Sequence, residues 1–224
     1  MLPADEANRR YFRESYRTGK HGWEIEEPSR CALAFLKQVR RQVQAGTLLD
    51  IGCGEGRHCF AAWHLGFEVT GIDYEPMALE RARHFALTKH AEDITLCKAN
   101  VFSLPFPRSS FDVVLDYGCL HHQRKSDWTA YAASILRVLK PFSFYILSVF
   151  SPKFHFFRAH RRPWHIAYGA YRRCFTQQEI SVLFGRQFEI LAIEEVKGEG
   201  RGFWHVLMKR RSEGGAKQND TRHN

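Results

Sequence analysis

The sequence predicts an α/β domain, with a mostly parallel sheet, helices on both faces and an antiparallel hairpin at the C-terminal end. Three observations carry that reading. Between residues 47 and 150 short β-rich runs alternate with helical stretches, the order that builds βαβ units. The first run ends in a glycine-rich turn, Gly52-Cys53-Gly54-Glu55-Gly56. Near the C-terminus two more β-rich runs are joined by KGEGRG, a loop with glycine at hairpin length.

Each element has its own signal. Residues 27–44 place apolar side chains at 32, 33, 35, 36, 39 and 43, so a helix precedes the first strand. Strands are expected at 47–52, 67–72, 94–99, 111–116 and 142–150, and helices near 55–65, 76–90 and 126–139. Pro76 suits a first helical turn, where its missing N–H costs nothing, and Pro105 and Pro107 mark a loop. A basic aromatic insert at 153–173 leads to a helix at 176–184 opened by a Thr176/Glu179 capping box. Strands 188–196 and 203–210 form the hairpin, and the polar tail 211–224 is expected to be disordered. The chain thus divides into an N-terminal helical segment (1–46), one domain (47–210) and the tail.

Composition bounds the function classes. With 224 residues, 44% apolar and 14% aromatic, the chain suits a single domain with a sizeable core and excludes collagen, coiled coil and wholesale disorder. No uncharged apolar run approaches the roughly 18 residues of a membrane helix, and MLPADEANRR has no secretory h-region. A cytoplasmic protein without a membrane partner is expected. The six cysteines (31, 53, 59, 97, 119, 174) contain no CxxC pair and read as reduced thiols, with no metal site. Of the net charge of +9, residues 153–173 contribute +6 and 209–224 contribute +3, so the rest of the chain sums to zero. Such local charge points to an anionic ligand more than to a surface that coats nucleic acid.

Ligands of open α/β sheets sit beyond the carboxyl ends of the strands, where glycines let the backbone approach closely. Twenty-one residues after Gly52, Asp73 ends the second strand, where a carboxylate can accept hydrogen bonds from ribose hydroxyls. An adenosine-containing ligand is therefore expected. The dinucleotide fingerprint GxGxxG fails, because Arg57 takes its sixth place.

Asp50-x-Gly52-x-Gly54-x-Gly56 instead resembles motif I of the class I S-adenosylmethionine-dependent methyltransferases. GIDYEP, ANVFSLPFPRSSFDVVLDYGCLHH, RVLKP and the terminal hairpin resemble later segments of the family in the same order, covering about 160 residues. The resemblance implies a Rossmann-like class I methyltransferase fold of seven strands, with S-adenosylmethionine as cofactor. It implies that Gly52, Gly54 and Gly56 form the turn under the cofactor, with Cys53 among them and Asp50 bracing the loop or reaching the methionine end. Asp73 and the adjacent Tyr74 fall at the ribose. Asn100 stands where the family often has Asp at the adenine, Val101 offers its backbone N–H, and Asp116 ends the fourth strand near the methionine moiety or caps the loop there. The family's RVLKPGG is RVLKPFS in this chain. GKHGWEIEEPSR is similar to the segment before motif I in the TehB-like and thiopurine-type branch, which implies that Trp23 covers the cofactor, with Tyr11, Phe12 and Tyr16 helping to close a dry cavity.

His121 and His122 follow the fourth strand and are candidate general bases toward an oxygen or thiol nucleophile, or simply loop residues. In the insert, Arg161, Arg162, Trp164 and Tyr168 are candidates for holding the acceptor through charge and stacking. The expected reaction is methyl transfer to a small-molecule O, N, S or chalcogen nucleophile, the acceptor being of anionic character. Two alternatives stand beside it: an RNA methyltransferase using the insert, and a SAM-binding protein without activity.

Overall fold

The computed structural model describes residues 3–19, 21, 23, 27–195 and 202–212. Strands β1 (Thr47–Ile51), β2 (Glu68–Asp73), β3 (Thr95–Lys98), β4 (Phe111–Tyr117) and β5 (Leu139–Phe150) pair in parallel. The antiparallel strands at the C-terminal end, β8 (Phe188–Glu194) and β9 (Phe203–Arg210), complete a seven-stranded sheet of order β3-β2-β1-β4-β5-β9-β8. Because β1 sits between β2 and β4, the chain winds outward from it in both directions and leaves a crevice at the carboxyl ends of these strands.

The central strands are apolar on both sides, as strands covered on both faces must be. Leu48, Val113, Leu115, Phe144 and Ile146 pack under α2 (Arg30–Arg40), α3 (Arg57–His64) and α4 (Pro76–Thr88). Their neighbours Leu49, Val114, Tyr145 and Leu147 face the opposite way, against α5 (Trp128–Val138) and α7 (Gln177–Phe184). The capping box of α7 is present as expected, with the Thr176 hydroxyl accepting from Glu179 N and the Glu179 carboxylate accepting from Thr176 N. None of the helices is long and apolar enough to cross a membrane among the described residues.

The N-terminal segment contributes a further helix, α1 (Pro3–Thr18). The insert is also more ordered than its composition indicated. It folds as a one-and-a-half-turn helix, α6 (His155–His160), and a separate two-stranded hairpin, β6 (Trp164–Ala167) and β7 (Ala170–Arg173). Residues 197–201 of the hairpin loop expected at 197–202, residue 196 of the strand expected before it, and the tail from 213 lie outside the described residues.

One departure from the family pattern has a backbone cost. The register between β4 and β5 shifts between the Phe111↔Leu139 and Val113↔Phe144 pairs, so residues 140–143 bulge. In that bulge Phe142 takes φ 61, the left-handed region that favours glycine, and the residue is 61% exposed. Phe142→Gly should therefore stabilise the protein by about 1 kcal/mol, since it relieves strain and gives up little packing. Urea denaturation of the two proteins checks this; a less stable variant would show that the ring's packing outweighs the strain.

Candidate functional site

At the carboxyl ends of β1, β2 and β4 lies a cavity of about 1920 Å³. That exceeds the ~300–1,000 Å³ of a usual single-ligand pocket, so it has room for two molecules side by side.

Its floor is the turn after β1. Gly52 and Gly54 adopt φ 66 and 57, and a Cβ on Gly54 would come within 3.0 Å of the Tyr16 hydroxyl, so only glycine brings this backbone to the cavity surface. Cys53 N donates to Ile72 O (2.9 Å) and Gly54 N to Asp73 Oδ2 (3.0 Å), while Asp73 Oδ1 accepts from Glu75 N (2.9 Å). One carboxylate thus ties the turn after β1 to the turn after β2. Burial pushes Asp73 up to about 6, outweighing those backbone hydrogen bonds. Its oxygens retain lone pairs for a ligand hydroxyl. Tyr74, Asn100 and Val101 also line the cavity, and the buried Tyr74 hydroxyl has no hydrogen-bond partner among the described residues. Asn100 Oδ1 already accepts from Phe102 N (3.0 Å).

Three residues expected at the cofactor stand behind the cavity wall. Asp50 is 1% exposed and accepts from the Cys59 thiol (3.2 Å), and burial pushes it up to about 7. Gly56 lets α3 approach α4, since a Cβ there would meet Ala82 Cβ at 3.3 Å. Asp116 is fully buried and accepts from Cys119 N (2.7 Å), the Tyr131 hydroxyl (2.7 Å) and the Tyr145 hydroxyl (3.2 Å). It shapes the loop without facing the cavity.

The roof is α1 with the segment after it. The Trp23 indole donates to the Tyr16 hydroxyl (3.2 Å) and stacks on His21 at 4.6 Å, and Arg81 from α4 grips Tyr16 O (2.6 Å) and Glu55 Oε1 (2.7 Å). Asn8 holds the other end, donating to His122 O (2.9 Å) and accepting from Tyr171 N (2.8 Å). A polar residue on a helix gives no sequence signal for such a clamp.

Another part of the lining is aromatic, from Tyr117, Phe150, Phe154 and Phe203, with His121 and His122 among them. His121 stacks on Phe150 at 3.9 Å, its buried Nδ1 has no partner among the described residues, and burial holds it well below the usual histidine value. His122 Nδ1 lies 2.9 Å from Tyr171 O. A carbonyl only accepts, so Nδ1 carries the proton and Nε2 keeps its lone pair. Burial lowers this ring to about 4, so it is neutral at pH 7.

Of the four insert candidates, Tyr168 reaches the cavity rim, whereas Arg161, Arg162 and Trp164 are exposed outside it. Of the insert's lysines and arginines, Arg172 lines the cavity; it donates to the Tyr11 hydroxyl (2.8 Å) and lies over the Tyr11 and Phe156 rings. Arg172 sits on β7, whereas Arg161 and Arg162 lie in the link between α6 and β6, and the hairpin itself was not apparent from composition.

Known proteins bear on this site. Residues 48–142 match a family model described as "Methyltransferase domain". An uncharacterized methyltransferase of Schizosaccharomyces pombe is 30% identical over 113 residues, which are 49% of this chain and 77% of that protein. The 2-heptyl-1-hydroxyquinolin-4(1H)-one methyltransferase of Mycobacteroides abscessus is 25% identical over 146 residues, 62% of this chain and 63% of the relative. The chain spans only 46–63% of the length of it and two other curated relatives. Among solved structures, Burkholderia thailandensis 1,6-didemethyltoxoflavin-N1-methyltransferase, with bound 1,6-didemethyltoxoflavin and S-adenosylhomocysteine, has the same fold, with a TM-score of 0.75 at 22% identity over 95% of this chain and 92% of that one.

The histidine geometry makes a direct prediction. Nitrogen-detected NMR at pH 7 should show His122 as the neutral Nδ1–H tautomer, and a charged ring would contradict the assignment. Its folded value lies below the ordinary histidine value of about 6.5, so the unfolded chain takes up this proton first and stability is lost as pH falls from about 6.5 towards 4. His122→Asn should lose less stability across that window than the unsubstituted protein, as read by thermal melts at its two ends.

Proposed function

The chain belongs to the class I S-adenosylmethionine-dependent methyltransferases, and from that premise we propose that it methylates a small planar molecule through an O–H, N–H or S–H group. The observation that carries this reading is a single cavity lined both by the glycine turn and by His122, whose Nδ1 lies 2.9 Å from Tyr171 O and so leaves Nε2 with its lone pair.

The residues present fit the cofactor. Gly52 to Gly54 offer open backbone, Asp73 has lone pairs for ribose hydroxyls, and Tyr74 brings an unpartnered hydroxyl to the same wall. Trp23, Tyr16 and Phe12 close over that end as an aromatic cover and exclude water. Trp23 in the segment before motif I is what favours the TehB-like and thiopurine-type branch. Bound S-adenosylmethionine supplies an electrophilic methyl carbon on a good leaving group, so the protein's task is alignment, desolvation and removal of one proton.

His122 takes that proton. An oxygen or nitrogen that attacks carbon becomes a strong acid as its bond forms, so even a base lowered to about 4 can accept from it. Tyr171 O holds the ring in the tautomer that leaves Nε2 free and partners the imidazolium once it is charged. Phe150, Phe154, Phe203 and Tyr117 give a flat acceptor faces to stack on. Arg172 beside them suits an acceptor with anionic character. The two relatives named for a hydroxyquinolinone and a didemethyltoxoflavin support a small heteroaromatic acceptor over a polynucleotide.

Calorimetry should show S-adenosylmethionine and S-adenosylhomocysteine binding and no binding of NAD. Asp73→Ala should weaken both by about 1.5–3 kcal/mol, the range for hydrogen bonds to a charged group. With labelled S-adenosylmethionine and a cell extract, label should enter the small-molecule fraction; label confined to ribonuclease-sensitive material would reverse the acceptor assignment. Once an acceptor is in hand, His122→Ala should bind S-adenosylhomocysteine normally and turn over about 10²- to 10⁴-fold more slowly.

A further inference from the structure

From the exposed face of the β6–β7 hairpin we infer that this protein docks on anionic membrane surfaces, with the hairpin tip seated among the lipid headgroups. The inference does not depend on which acceptor is methylated.

Trp164 and Ile166 stand at alternate positions of β6 and are 42% and 57% exposed, and Tyr168 at the turn is 83% exposed. They sit on a two-stranded sheet that pairs with no other strand among the described residues. The opposite face packs inward through Ala167, Ala170 and Arg172, and at the base of the Trp164 face the cross-strand partner Arg173 is buried against Trp128 and Glu179, so the exposed apolar surface is Trp164, Ile166 and the turn. An isolated hairpin with a wet outer face would ordinarily put polar residues at these positions.

The turn is strained to display its aromatic. Tyr168 and Gly169 take φ 54 and 85, the paired left-handed geometry of a turn that favours Asn-Gly. A bulky side chain there is an outlier. Tyr168 lies almost wholly in solvent, so packing does not compensate it in the free protein.

The charge of the segment that carries the hairpin is one-sided. Arg158, Arg161 and Arg162 are exposed and make no ion pair among the described residues, and residues 153–173 contain no acid. The insert's other cations are engaged: Lys153 with Glu195, Arg173 with Glu179, and Arg172 with Tyr11. Three exposed arginines with no ion pair among the described residues, in the same segment as an exposed Trp, Ile and Tyr, match a bilayer interface, where indole and phenol rings sit at headgroup depth and guanidinium groups meet anionic lipid. Docking on a membrane surface needs no spanning segment. Tyr168 and Gly169 also form part of the cavity rim, so a docked hairpin turns the cavity mouth towards the bilayer.

The test is cosedimentation of the full chain with vesicles of phosphatidylcholine alone and of phosphatidylcholine mixed with phosphatidylglycerol. The expected result is pelleting with the mixed vesicles, weakened by salt, and little with phosphatidylcholine alone. Arg161→Ala with Arg162→Ala should weaken binding about 30-fold, about fivefold for each charge. Trp164→Ala with Ile166→Ala should weaken it further while leaving S-adenosylhomocysteine binding unchanged. Tyr168→Asn supplies the residue this turn prefers, so it should fold at least as well as the parent and still bind vesicles less. A chain that stays in the supernatant with both vesicles overturns the inference, as does pelleting that these variants leave unchanged. Hairpin-dependent binding to a single-stranded RNA probe without vesicle binding, or a hairpin-dependent dimer without it, would reassign the face to those partners.

Discussion

The buried carboxylate of Asp116 is the interaction on which the site depends. It ends β4 beside the point where the sheet changes winding direction, and it collects backbone N–H groups from Cys119 and Leu120 with two tyrosine hydroxyls. Satisfying that carboxylate turns the chain sharply back after Gly118 (φ 100) and delivers His121 and His122 to the cavity. Desolvation still outweighs the donors and pushes the group up to about 6, which marks how completely water is excluded there. The hydroxyls come from α5 and β5, so the loop that carries the histidines is referenced to the core and not to the surface.

A second tie joins the two ends of the cavity through the roof. Asn8 spends both halves of its amide on backbone groups, one in the histidine loop and one in β7, while Arg81 fastens the other end of α1 to α4. The glycine turn, the aromatic cover and the basic hairpin therefore meet on one helix, although they are far apart in the chain. An exchange of ligands that moved α1 would break contacts at both ends. Closure over one molecule and access for the other are in this way physically coupled.

Much of this molecule is legible in its sequence, because the relevant physics is local. The β-rich runs and their spacing, the helix-opening Pro76, the capping box at Thr176 and Glu179 and the glycines of the turn each reflect a backbone requirement that a few neighbouring residues satisfy by themselves. Those signals predicted the seven-stranded sheet and placed Asp73 at the end of β2. Insert composition predicted a concentration of positive charge at 153–173, which is where it lies.

What only the tertiary structure decided is which side of a wall each residue occupies. Asp50, Gly56 and Asp116 carry the same motif signal as Asp73, yet they brace the cavity from behind, because strand alternation and helix packing turn them away from it. Arg161, Arg162 and Arg172 are indistinguishable by composition; a left-handed turn at Tyr168-Gly169 folds the insert back so that Arg172 faces Tyr11 and the others face solvent. The tautomer of His122 depends on a carbonyl 49 residues away, and the roof on an asparagine 114 residues from the loop it holds. Contacts at such separations leave no periodicity in a chain, since each is set by where whole elements pack and not by the residues beside it.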